Sequence, residues 1–577
     1  MTETPPRPSW RPNLIGKRYA VSCGHYLGAT AAIRILERGG NAIDAGVSAS
    51  MAMAAAQPEI VSFSGVAPTL IFDAGAKAVH SLAGLGYWPR SVDVERLRSV
   101  GKGVVPNGIL RTVVPAAPAT HIEALLRFGT ISFEEAATPA YEIARDGFAA
   151  YPVFVRHFEK FQAQYRRWPS SAALFLPQGR PPRVGEIFVQ SQLASSIEGM
   201  ILAERNAKGD RVAELATARG YYYKGPIAEG IAAFHHEQGG FLTREDLADF
   251  KVPLEDSISC SYKDYVVHSC DVWCQGIFLL QTLKTVEGYD LVAMGANTPA
   301  YIHTIVEALN LTFADREGYV GDPRFVDVPV AGLLSGEYAA SQRRKINTDK
   351  AFGTLPPPGR PSGAQREPFV PELASFPKAV PGAALDTTYC CVVDPTGNAY
   401  SATLSDNARD TPVVPSLGGT VSSRGAQSRL EPGHPSEVKP GKRPRLTPAP
   451  ALALRDGEFY MGFGTPGGDV QTQAMLQAFL NIVEFGMTLQ QAVEQPRFGT
   501  FIFPNSFSPH AIGALNLEQQ RFPAKTVAKL KALGHHVEAW SNLAPAGGAV
   551  CAIARDPETK WLHAAADPRR ETYAMVW

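Results

Sequence analysis

Two threonines, Thr387 and Thr388, stand where a proline-rich stretch gives way to the strand-like run "TTYCCVV". A threonine hydroxyl inside a chain is a poor nucleophile, because nothing nearby in sequence takes its proton. Freed by a cut after Asp386, Thr387 would carry an α-amine with a pKa near ~8, a general base built onto the nucleophile itself. A second feature is "GFGTPGGD", residues 462–469, between a strand pattern and a helix pattern. Its G-x-G-x-x-G spacing matches the dinucleotide fingerprint, but the next element, "TLQQAVEQPRF", reads as a helix where a Rossmann unit needs a second parallel strand. What remains is physical: Gly467 and Gly468 leave bare amides at a helix N-terminus, where the dipole favours negative charge, as an oxyanion requires. Taken singly, each feature has an ordinary reading, a strand start and a tight turn. The chain has no G-x-S-x-G elbow, no H-E-x-x-H and no Walker loop.

The elements that must hold these residues follow from pattern. Residues 388–393, β-branched and small, read as a buried strand. Residues 352–381 are proline-rich, unable to hold a helix or an inner strand because proline lacks the amide donor. They read as a mobile surface linker running straight into the hydroxyl, an arrangement suited to cleavage. Upstream, "LGATAAIRILERGGNAIDAGVSASMAMAAAQP" predicts two helices parted at Gly39 and Gly40, the second starting at Asn41 or Asp44 and rich enough in alanine to pack closely. "APTLIFDAGAKAVHSLAG" predicts a hairpin, residues 115–250 are largely helical with a Thr243 cap answered by Asp246, and "YIHTIVEALNLTFADREGYVGDP" is helical to about Gly318. Strands are expected again at 387–405 and 448–463, then an apolar helix, "VQTQAMLQAFLNIVEFG".

Composition limits the partners. Lys+Arg and Asp+Glu are equal at 55 each among 577 residues, so no global field draws nucleic acid or an anionic membrane. No apolar window is long enough for a membrane span, and the first residues, "MTETPPRPSWRPNLIGKRYAV", place prolines and charges where a signal peptide needs an apolar core. A cytoplasmic location is expected. The seven scattered cysteines suit reduced thiols better than a disulfide framework. Cys270 and Cys274 alone approach metal-ligand spacing, without a matching His or Cys cluster, which argues against zinc.

Together these stretches resemble the γ-glutamyltransferases, N-terminal nucleophile hydrolases that cut themselves before a threonine. "LERGGNAIDAGVSASMA", the long segment from "LQTLKTVEGYDLVAMGANTPAYIHTIVEALNLTFADREGYVGDP" to "LLSGEYAA", "TTYCCVVDPTGNAYSATLSDN", "PGKRPRLTPAPALAL" and "GTPGGDVQT" carry the likeness over most of residues 15–500. The resemblance implies a four-layer αββα sandwich in which a large chain, 1–386, and a small chain, 387–577, share one intertwined domain as a heterodimer, open to further oligomerisation. It implies cleavage between Asp386 and Thr387, Thr387 as nucleophile, Gly467 and Gly468 as the oxyanion pair, Ser405 in place of a family threonine, and Asn407 and Thr403 on small-chain polar positions.

The same comparison implies altered substrate positions. Leu85 stands where the family has the arginine that holds the glutamyl carboxylate. Leu446 replaces a second carboxylate contact, with Thr447 beside it, and Arg424 and Gln427 fall where the family receives the α-amino group. The "SRG" form resembles the acylase-like and amidohydrolase-like members. The expected activity is therefore amide hydrolysis of a small molecule with no metal or organic cofactor. True γ-glutamyl transfer is the first alternative and a processed, inactive scaffold the second.

Overall fold

The run "TYCCVV" forms strand β1 (Thr388–Val393), which pairs antiparallel with β2 (Ala399–Leu404), Thr388 opposite Leu404 and Val393 opposite Ala399. Every residue of both strands is buried. Side chains alternate across a strand, so Cys390 and Val392 enter one core while Tyr389, Cys391 and Val393 enter another. Neither face meets water, which is why the run is apolar throughout instead of alternating with polar residues.

The computed structural model describes residues 9–379 and 386–577; the first eight residues and the end of the proline-rich stretch at 380–385 lie outside the described residues. β1 and β2 sit at the middle of a seven-stranded antiparallel sheet, ordered Tyr573–Val576, Ala20–Cys23, β1, β2, Thr69–Asp73, Ala78–Leu82 and Leu254–Asp256. A second antiparallel seven-stranded sheet runs Ile258–Tyr262, Tyr265–Ser269, β3 (Ala451–Arg455), β4 (Glu458–Gly464), Cys551–Arg555, Leu562–Ala566 and Leu14–Gly16. Between the sheets lies an apolar layer that includes Leu70, Phe72, Tyr389, Leu452, Phe459 and Ile553. Helices α1 (Tyr26–Glu37) and α2 (Ala42–Ala56) cover the outer face of the first sheet, and α3 (Gly276–Val286), α4 (Pro299–Tyr319) and α5 (Gln471–Val483) that of the second. This is the expected αββα sandwich. No helix among the described residues is long and apolar enough to cross a membrane.

Local chemistry sets these boundaries. Asn41 and Asp44 form a reciprocal capping box at the start of α2. The α2 amide of Ala42 also donates to Asp394 in the turn after β1, tying helix to strand. All residues of α2 are buried, and its Ala, Gly and Ser side chains let it lie close on the sheet. The Thr243 and Asp246 capping box forms as expected. "TLQQAVEQPRF" does supply a helix, Leu489–Glu494, and the strand after it, Phe498–Thr500, pairs antiparallel in a separate small sheet, so the nucleotide-binding topology is absent.

The proline-rich segment differs from expectation. Over residues 352–379 it has almost no regular structure, yet it is strapped to the core and does not hang free. Gly359 donates to Asp315 on α4 and accepts from Tyr319, Arg366 and Phe369 both donate to the Gly318 carbonyl, and Ala379 donates to Ile512. Prolines remove backbone donors, but the remaining polar groups find partners on α4. The cysteine reading agrees with the structure: all seven are free and buried, and the Cys23 and Cys390 sulfurs approach to 3.2 Å as paired thiols.

Close packing of α2 gives a direct test. A methyl at Gly46 would lie 2.2 Å from the Tyr400 ring on β2, with no room to retreat between two buried faces. Gly46→Ala should therefore lower stability by about 1–3 kcal/mol in chemical denaturation, the usual cost of overpacking. An unchanged midpoint would mean that the helix and sheet separate more easily than this packing allows.

Candidate active site

Thr387 stands immediately before β1, fully buried, its amide donating to the Ile60 carbonyl at 3.0 Å. Thr387 has φ of +74°. Among the described residues it is the only β-branched residue in that left-handed region. Such a conformation costs about 1–3 kcal/mol and persists only where the surroundings enforce it.

Four side chains enforce it by closing a ring. Thr387 Oγ1 donates to Asp386 Oδ1 at 3.0 Å and shares a 2.6 Å hydrogen bond with Ser405 Oγ. Arg424 donates through Nη2 to Ser405 Oγ at 2.5 Å and through Nη1 to Asp386 Oδ2 at 2.9 Å. Ser405 therefore accepts a hydrogen bond from Arg424 and can donate its own hydrogen to Thr387, which leaves the threonine hydroxyl hydrogen for Asp386. Burial by itself disfavours a charged Arg424, but Asp406, Asp386 and Asp410 outweigh it and hold the guanidinium above its ordinary range. Asp406 is fixed by Ser422 Oγ at 2.6 Å and the Ser423 amide at 2.9 Å, and lies 3.6 Å from Arg424 Nε.

Behind the Asp386–Thr387 peptide is a second charged group that sequence reasoning missed. Arg570 Nη1 donates to the Asp386 carbonyl at 3.1 Å and, at 3.4 Å, to that of Thr387. Next to Ile60, the Glu59 carboxylate accepts from Tyr151 at 3.0 Å, while its other oxygen and Arg570 Nη2 are buried without a partner. Burial pushes the Glu59 carboxyl up to about 8, against the opposing pull of its own backbone, Tyr151 and Arg570. Nothing local in "ADPRRET" marks Arg570, because its partner is 184 residues away. Asp406 was within reach of the sequence, since it stands between the flagged Ser405 and Asn407.

Gly467 and Gly468 follow β4 and lead through a short 3-10 turn into α5. Their φ values, +128° and +60°, suit glycine, and their amides take no partner among the described residues. The loop is clamped from both sides. Gln275 donates to the Gly468 carbonyl at 2.8 Å, and Asp469 accepts from Arg316 of α4 at 2.7 Å and from Ser506. A methyl added at Gly468 would lie 3.2 Å from the Phe507 ring, whose centroid is 5.4 Å from the Arg424 guanidinium, so this ring stands near both halves.

The remaining sequence-predicted residues fall into three places. Gln427 and Thr447 bond each other reciprocally, at 2.7 and 3.3 Å, one helical turn beyond Arg424. Leu85 and Leu446 share the layer between the sheets with Tyr389 and Trp273. Thr403 Oγ1 and Asn407 Oδ1 are buried without partners. Cys270 and Cys274 gather no metal-ligating set. Among the described residues the one such grouping is His303, Glu307 and His535, in the helical layer of the second sheet. His303 bonds His535 and the Asn347 carbonyl, each at 2.8 Å, and Glu307 accepts from Phe352 and Asn310, so hydrogen bonds account for it.

The family model described as Gamma-glutamyltranspeptidase matches residues 28–577. The chain is 29% identical to the "Glutathione hydrolase-like YwrD proenzyme" of Bacillus subtilis (strain 168), over 98% of this chain and 99% of that protein. It is also 29% identical to the "Acylase ACY 1 proenzyme" of Pseudomonas sp. (strain SE83), over 94% and 91% respectively. Among solved structures, the cephalosporin acylase from Bacillus halodurans superposes with a TM-score of 0.85 at 26% identity, covering 100% of this chain and 99% of that one.

Glu59 yields a pH test. Its carboxyl stays protonated in the folded chain up to about pH 8 and ionises in the unfolded chain above about 4.5, so it makes folding less favourable as pH rises between them. In the single-chain protein, Glu59→Gln should remove that decline and gain about 2–4 kcal/mol at pH 8. Parallel urea midpoints for both proteins from pH 5 to 8 would show that Glu59 is ionised in the fold after all.

Proposed function

The chain belongs to the gamma-glutamyltranspeptidase family, and from that premise we propose that it is an amide hydrolase, matured by a cut between Asp386 and Thr387, with Thr387 as its nucleophile. One observation carries the reading: the ring of Arg424, Ser405, Thr387 and Asp386 closes around the peptide bond at which a buried, β-branched residue is held at positive φ. A non-catalytic strand start has no physical need for that strain.

Cleavage would leave fragments of 386 and 191 residues. They would stay together, since β1 and β2 of the small fragment lie between Ala20–Cys23 and Thr69–Asp73 of the large one. The new α-amine of Thr387 sits at the Ile60 carbonyl, where it takes the proton from Oγ1 as the hydroxyl attacks an amide carbon. Ser405 orients Oγ1. The amides of Gly467 and Gly468 receive the oxyanion, and the amine returns its proton to the leaving nitrogen. Water then resolves the acyl-enzyme. Asn407 and Thr403 offer buried oxygens for substrate or water, and Gln427 with Thr447 forms the adjoining polar wall. Seven free thiols support a cytoplasmic location.

For the acyl group, Leu85 and Leu446 are the deciding residues. A free glutamyl α-carboxylate beside them would lose water without gaining a charged partner, at a cost of several kcal/mol. Both side chains are fully buried between the sheets; where an acyl group reaches them they would favour hydrocarbon or aromatic bulk, worth roughly 25 cal/mol per Å² buried. The names of the similar proteins include both glutathione hydrolases and acylases; the two leucines favour the acylase side.

The purified active protein should run as two bands of very unequal size on a denaturing gel, and Thr387→Ala as one. An active but uncut enzyme would remove the free-amine mechanism. On one cleaved preparation, kcat/KM for amides with a less polar acyl part should exceed that for a γ-glutamyl anilide. A tenfold preference for the γ-glutamyl compound, sped further by an acceptor dipeptide, would instead assign a transpeptidase.

A further inference from the structure

Self-cleavage at Asp386 cannot use the base of the mature enzyme, because the Thr387 nitrogen is still an amide and has no proton-accepting lone pair. The ring already described supplies a substitute. We propose that the Asp386 carboxylate is a single-use general base for the cut and that Arg570 stabilises the charge that develops on the scissile carbonyl. This rests on the reading that the chain cuts itself before Thr387, and it gives the first turnover a different base and a different oxyanion partner from every later one.

Geometry assigns both roles. The Thr387 hydroxyl hydrogen is directed to Asp386 Oδ1 at 3.0 Å, while Ser405, itself a hydrogen-bond acceptor from Arg424, is placed to donate to Thr387 Oγ1 at 2.6 Å. Arg424 holds the second Asp386 oxygen at 2.9 Å, which keeps the carboxylate oriented toward the hydroxyl. The carbonyl to be attacked accepts from Arg570 at 3.1 Å, a charge-assisted contact that strengthens as negative charge grows on that oxygen. The Gly467 and Gly468 amides donate no hydrogen bond to this carbonyl among the described residues. Arg570 Nη2 and Glu59 Oε2, both buried and unpartnered, lie behind the same peptide.

The step balances within the chain and one water. As Thr387 Oγ1 bonds to the Asp386 carbonyl carbon, its proton passes to Asp386 Oδ1 and the carbonyl π pair moves to the oxygen held by Arg570. Collapse of this intermediate breaks the carbon–nitrogen bond, and the Asp386 carboxyl returns the proton to the departing nitrogen. The product is an ester between Asp386 and Thr387 Oγ1 with a free α-amine. That amine now serves as base for a water that hydrolyses the ester, releasing the Thr387 hydroxyl and a terminal carboxylate on Asp386. The base then departs with the large fragment, and the positive φ at Thr387 is no longer imposed by a peptide bond.

The test follows the full-length precursor by gel and intact mass. Asp386→Asn keeps the shape and an oxygen acceptor but cannot take a proton, and it should slow cutting at least 100-fold, within the usual range for losing a general base. Asp386→Ala should be slow as well and should be accelerated by added formate, in proportion to concentration, but not by chloride. Arg570→Gln should slow cutting at least tenfold. Thermal melts of the uncut variants verify the fold. Cutting of Asp386→Asn within threefold of the parent would overturn the proposal, and so would an Asp386→Ala protein that is slow yet indifferent to formate, since the aspartate then only shapes the site. If the parent itself is never cut before Thr387, the underlying reading fails with it. If the parent is cut and only these variants behave otherwise, the reading stands and this inference falls.

Discussion

The structure depends on the burial of β1 on both faces. A strand that presents Cys390 and Val392 to one core and Tyr389, Cys391 and Val393 to another needs a helical layer on one side and a second sheet on the other. From that requirement follow the four layers, the small residues of α2, and the position of Thr387 at the strand's end, inside the molecule. By the same token, a cut before β1 would leave the fragments joined. Separating them would expose strands hydrogen-bonded on both edges and buried on both faces, which is far more costly than losing one peptide bond's constraint.

Charge is then placed where the core can tolerate it. A buried ion pair gains little by itself but is expensive to break. Arg424, fully buried, answers Asp386 and Asp406, and Arg316 on α4 answers Asp469 and Glu317. These two arginines hold the two halves of the site: one fixes the threonine ring, the other the glycine loop. Were Asp386 to leave, Arg424 would lose one carboxylate and be left to Asp406 and Asp410, so a cut there would change the electrostatics around Ser405.

Reading from the residues reached far into the fold where local physics decides. The glycine break and Asn41 cap before α2, the 69–82 hairpin, the Thr243 capping box and the α5 helix all depend on neighbours within a few residues, and each formed as expected. The proline-rich segment was misjudged as a free arm for a complementary reason. Proline content shows that a segment lacks its own ladder of hydrogen bonds, yet says nothing about Asp315 and Gly318 on a distant helix that accept its remaining donors and anchor it.

The candidate site divides along the same line. The sequence by itself determined the kinds of groups available: a threonine at a strand start, Ser405 and Asn407 two strands' length away, two glycines before a helix, and leucines at Leu85 and Leu446. Only the tertiary structure decided how they act on one another. The left-handed φ of Thr387, the closure of Arg424 onto both Ser405 and Asp386, and the reach of Arg570 to a carbonyl 184 residues earlier all depend on contacts between separate elements. Hydrogen bonds act over about 3 Å in space, and chain separation carries no information about that distance until two sheets have packed face to face.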